Sequence, residues 1–94
     1  MCRSIRTLHN FTPPVTEDEI RAAARQFVRK VSGFTAPSQA NAAVFEKGIE
    51  DVTAATRRML EKLITAAPPR TREGEAAKAR DRWQKRSARM RDNP

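Results

Sequence analysis

The residues best suited to chemistry in this sequence are cationic, and many lie near its end. Lys78, Arg82, Lys85 and Arg89 recur at spacings of four, three and four, which on an α-helix places them in one row. Arg86 flanks that row, and Trp83 is the only tryptophan of the chain. A row of guanidinium and ammonium groups matches the repeating charge of a phosphate backbone, and an indole can stack on an unpaired base. Residues 70–94 hold nine Lys and Arg against four Asp and Glu, so they carry +5 of the total +8. A solvated charged tail has the same composition, and an acidic protein would also attract it. A membrane surface suits it least, because its apolar side is mostly Ala with only Trp83 and Met90 to insert. Arg25 and Arg29, with Arg21, form a second basic row that either extends a phosphate-binding surface or keeps the chain soluble.

Thiol or metal chemistry has one starting point, Cys2. The charges of Arg3 and Arg6 favour its thiolate, and removal of Met1 would leave an N-terminal amine beside it. A zinc site needs three or four protein ligands, however, and the chain has one Cys and one His. No second His stands ready as a base, and no Asp or Glu sits in a recognisable catalytic spacing. Cys2 therefore reads first as a small hydrophobe and only weakly as a metal ligand. His9 reads as a packed or surface side chain beside Phe11. The expectation is no catalytic residue, no cofactor, no metal and no small-molecule substrate.

Composition narrows the classes further. At 94 residues the chain is at most one small domain. Its 38% hydrophobic residues fall below the usual 45–50% or so, and its 32% charged residues exceed the usual quarter or so. One Cys excludes an intrachain disulfide, and a reducing cytoplasm is the simplest compartment. The first residues lack the apolar core of a secretory signal, and no run of apolar residues is long enough to span a bilayer.

Two helices and their flanks must position these groups. Thr16-Glu17-Asp18-Glu19 forms a capping box, followed by Ile20, Ala24, Phe27 and Val31 as an apolar stripe that Ala23 and Val28 widen. Gly33 stops this helix, which spans residues 16–31. A second helix is expected over 38–66, capped by Ser38 and ended by Pro68-Pro69. Its seam, Phe45, Ile49, Val52, Thr56, Met59 and Leu63, has heptad spacing. The hydroxyl of Thr56 on that seam is expected to bond back to the carbonyl of Val52. At 1.5 Å per residue the helices measure roughly 24 Å and 43 Å, so the second outruns the first. The surplus apolar surface would be covered by the N-terminal arm, the tail helix or a second copy of the chain. Ile5, Leu8 and Phe11, spaced by three, make the arm a candidate as one side of a 3₁₀-like or helical turn.

Several ordered blocks also resemble a known family. They are Met1 to Leu8, Pro13-Pro14 ahead of the capped helix, Arg29-Lys30-Val31-Ser32-Gly33-Phe34, Val52 to Arg58, and Ala66-Ala67-Pro68-Pro69-Arg70. Together they resemble the small bacterial proteins catalogued as domain of unknown function 2277, over about residues 1–80. Relatives often carry an aromatic in place of His9, so the resemblance gives that residue no role. It implies a bacterial cytoplasmic protein and brings no activity, ligand or catalytic residue.

The sequence thus predicts an all-α fold: an antiparallel helical hairpin with an N-terminal arm in residues 1–69, and a basic C-terminal helix or tail in 70–94. The expected function is non-enzymatic association with nucleic acid through the phosphates. Lys78, Arg82, Lys85, Arg86 and Arg89 would make the contacts, with Trp83 assisting and Arg25 and Arg29 as weaker candidates. The rival is a protein-interaction or homodimerisation module built on the heptad seam. A thiol or metal protein built on Cys2 is a third class.

Overall fold

A computed structural model describes residues 5–92, with no account of the side chains of Met90, Arg91 and Asp92. Among the described residues every regular element is helical: α1 (Glu17–Ser32), a 3₁₀ turn (Gln39–Asn41), α2 (Ala42–Lys62) and α3 (Arg72–Asp92). They fall into two compact units. The first holds residues 5–9 and 15–66, and the second holds 10–14 and 67–92. Cys2 lies outside the described residues.

The capping box explains where α1 begins. The Thr16 hydroxyl accepts from the Glu19 N–H at 3.2 Å, and the Glu19 carboxylate accepts from the Thr16 N–H at 3.0 Å. Two donors that the helix cannot satisfy internally are thereby paired. At the other end Gly33 takes φ +78°, a left-handed conformation, and donates its N–H to the Arg29 carbonyl. This is the glycine stop that the sequence predicts.

Helix α2 differs from expectation at both ends. Residues 39–41 form a 3₁₀ turn before it, and Ser38 makes no side-chain cap bond there. The helix ends at Lys62 rather than 66, with Leu63 already extended. The physical reason lies in α1. Arg57 of α2 pairs with Glu17, the first residue of α1, at 2.6 Å. Beyond that point α1 offers nothing to bury against. Propensity alone does not sustain a helix through the β-branched Ile64 and Thr65. Met59 and Leu63, expected on the seam, are accordingly about half exposed, and Ile64 is 96% exposed.

The hairpin core is small. Ala24 and Val28 of α1 pack with Phe45 and Ile49 of α2, and Val52 lies against them. Ile20 is also buried. On each helix the buried residues step by four: Ile20, Ala24 and Val28 on α1, then Phe45, Ile49 and Thr53 on α2. The packed line therefore follows the i±4 ridges, and drifts off the heptad seam as a straight helix must. Thr53, and not Thr56, consequently sits in the core. Its hydroxyl donates to the Ile49 carbonyl at 2.7 Å, which satisfies the buried oxygen. Gly48 stands beside Val28, where a Cβ would meet the Val28 Cγ2 at 3.9 Å, ordinary contact.

The arm forms no helical turn between residues 5 and 15. Ile5, Leu8 and Phe11 are too few to sustain one. Phe11 belongs instead to the second unit, where it forms an isolated parallel bridge with Arg70.

Candidate nucleic-acid interface

The interface begins with the segment that anchors α3. Arg70 donates its N–H to the Asn10 carbonyl at 2.6 Å, and its carbonyl accepts from the Thr12 N–H at 2.9 Å. Asn10 has φ +64°, a left-handed conformation that asparagine tolerates better than most residues. Its side-chain amide donates to the carbonyls of Ala67 and Pro68 at 3.2 and 3.1 Å. Arg72 donates to the carbonyls of Pro13 and Pro14, at 2.9 and 3.5 Å, and its guanidinium stands 5.6 Å from the centre of the Phe11 ring. That distance is within cation–π range.

The Arg72 cation thus serves structure, whereas Arg70 anchors through its backbone. Arg70 also faces Glu75 at 3.8 Å. Nothing in the count of charges distinguishes Arg72 from the other arginines; the distinction comes from Phe11, Pro13 and Pro14, nearly sixty positions away in the chain.

Helix α3 starts on Thr71. Its hydroxyl accepts from the Gly74 N–H at 3.0 Å, and its carbonyl from the Glu75 N–H at 3.0 Å. This is N-cap geometry, and Glu73 and Glu75 add negative charge where the helix dipole is positive. The signal, a threonine followed by acidic residues, is present in the sequence.

From Arg72 to Asp92 no described side chain of α3 is buried. The helix brings Lys78, Arg82, Lys85 and Arg89 onto one face as their spacing requires, along about 16 Å of axis. Two of the four are engaged on their own helix: Lys78 with Glu75 at 3.5 Å and Lys85 with Asp81 at 3.1 Å. Such exposed pairs contribute at most about 1 kcal/mol, so a phosphate can displace the carboxylates. Among the described residues Arg80, Arg82 and Arg86 have no carboxylate within ion-pair distance. Trp83 is 65% exposed, and its indole makes no hydrogen bond or ring contact among those residues.

Arg25 and Arg29 lie one turn apart on α1, in the first unit. Arg25 is exposed. Arg29 is half-buried, with its Nε buried and, among the described residues, lacking a hydrogen-bond partner. It is therefore less a solvent-facing cation than the basic row of the sequence suggests. Among the described residues no group of three or more His, Cys, Asp or Glu could hold a metal ion. Among the same residues no helix is long and apolar enough to cross a membrane.

The fold and the charged helix define a small basic all-α protein. The family model described as an uncharacterized conserved protein, DUF2277, matches residues 1–78, and the chain belongs to that family. The match thus ends at Lys78, the first member of the basic row. No curated protein and no solved structure matches the chain.

Proposed function

We propose that this chain is a bacterial, cytoplasmic protein that binds nucleic acid through its phosphates and performs no chemistry on it, with α3 as the binding element. The observation that carries this reading is the exposed face of Lys78, Arg82, Lys85 and Arg89 on a helix with no buried described side chain. Arg86 flanks it, and among the described residues Arg82 and Arg86 have no competing carboxylate. A rod whose charge is mostly positive is suited to a polyanion and not to a packed core. Arg25 and Arg29 are weaker contributors.

A salt titration tests the proposal. Five phosphate contacts predict that log affinity for duplex falls with log salt at a slope of about −4.5. Replacing Lys78, Arg82, Lys85 and Arg89 together with Ala should abolish binding while leaving α1 and α2 folded. Absence of binding to DNA and RNA at low salt would overturn the proposal.

A second reading, an interaction or homodimerisation module, is favoured by the apolar side chains that the hairpin leaves half exposed. Phe27, Phe34, Met59 and Leu63 are between 44% and 54% exposed. It requires a sedimentation mass of two chains or of a defined complex, and no salt-dependent affinity for nucleic acid.

A further inference from the structure

The indole of Trp83 has an unusual set of neighbours. One turn before it and one turn after it, at i−3 and i+3, stand Arg80 and Arg86. At i−4 and i+4 stand Ala79 and Ser87, whose small side chains cannot cover an indole ring. The ring is 65% exposed and without ring contacts among the described residues, and neither arginine has a carboxylate partner there. The structure thus presents a flat aromatic surface bracketed by two unneutralised guanidinium groups, about 9 Å apart along the helix axis.

Each part suits a different part of a nucleotide. An indole face takes a base face, and every base has one, so the contact tolerates any sequence. The guanidinium groups take the phosphates on either side of that base. In duplex the bases are stacked and paired, and only the phosphates are offered. In a single strand a base is free to leave its neighbours and lie on the ring. Arg80 is not part of the row of Lys78, Arg82, Lys85 and Arg89, so this feature differs from a simple phosphate-binding face.

We infer that Arg80, Trp83 and Arg86 form a stacking site for one unpaired base and its flanking phosphates, so that α3 prefers single-stranded nucleic acid to duplex. This rests on the proposal that α3 binds nucleic acid. DNA and RNA share the chemistry that the site recognises.

The chain has one Trp and no Tyr, so its tryptophan emission comes from Trp83 alone. Titrating the full chain with a short oligothymidylate and a short oligouridylate should quench that emission saturably. Quenching by either supports the site, and the stronger of the two identifies the source. Heparin, a polyanion without bases, and a duplex of equal length should leave the emission largely unchanged while still binding. By anisotropy of a labelled strand, Trp83→Ala should weaken single-strand binding roughly 5- to 150-fold and leave heparin binding unaltered. Trp83→Phe should restore most of the loss. Arg80→Ala and Arg86→Ala should each reduce the single-strand salt slope by about 0.7.

Duplex binding as tight as single-strand binding, or an unaffected Trp83→Ala, would overturn this inference and leave α3 a phosphate binder. Failure to bind heparin, duplex and single strand alike would overturn the broader proposal with it.

Discussion

Ile49 is 0% exposed, and its replacement by Ala removes three carbons from the centre of the hairpin. At about 0.8 kcal/mol per methylene the transfer loss alone is roughly 2.4 kcal/mol. The space left among Ala24, Val28 and Phe45 adds a cavity cost, for a total of about 2–5 kcal/mol. A core in a unit of this size rarely supplies more than about 3–5 kcal/mol in all. Ile49→Ala should therefore unfold much of the first unit at room temperature, and Ile49→Val should cost about 0.5–1.5 kcal/mol. Urea titration followed by far-ultraviolet circular dichroism is the appropriate assay, because the first unit holds no Trp and its helices give the signal. Ile64→Ala is the control: at 96% exposure it should change stability by no more than about 0.5 kcal/mol. If Ile64→Ala costs as much as Ile49→Ala, or Ile49→Ala leaves the urea midpoint unmoved, the packing of α1 on α2 described above is wrong.

Two further outcomes follow from local geometry. Gly33→Ala should destabilise the hairpin by about 1–2 kcal/mol through its φ of +78° alone, since a Cβ there meets no atom within 4 Å; the same urea titration measures it. Asp51 accepts a hydrogen bond from the Lys47 ammonium at 2.9 Å, and this bond, with the attraction of the carboxylate charge, raises the Lys47 pKa above the ordinary lysine value. The stabilisation is fully present below that ordinary value and is lost as pH rises through the raised one. Titration of the Lys47 side chain by NMR should show the shift, and Asp51→Asn should remove most of it, leaving the smaller effect of Glu50.

Much of the first unit was legible because its signals are local. The capping box at Thr16 and Glu19 and the stop at Gly33 each depend on residues within a few positions, and both take the form their sequence predicts. The end of α2 was less legible, because helix length there is set by where α1 stops covering it. Thr56 and Thr53 illustrate the same limit. Both lie on the inner side of α2, and a heptad template selects Thr56, whereas packing on a straight partner selects Thr53. In the candidate interface, the row from Lys78 to Arg89 could be read from spacing alone. That the Arg72 guanidinium is already engaged could not, because its partners, Phe11, Pro13 and Pro14, come from the other end of the chain.

The sequence by itself determined the helical class, the two ends of α1, the family and the concentration of charge in the last residues. These follow from periodicity, capping and composition, which act over a turn or two of helix. Tertiary structure decided which apolar residues form the core, where α2 ends, and that the Arg72 cation of the basic tail is spent on anchoring α3. The reason is that burial and pairing are relations between distant residues. Ile49 and Ile64 have the same side chain, as do Arg72 and Arg82, and only their neighbours in space separate a core residue from an exposed one and an anchor from an open cation.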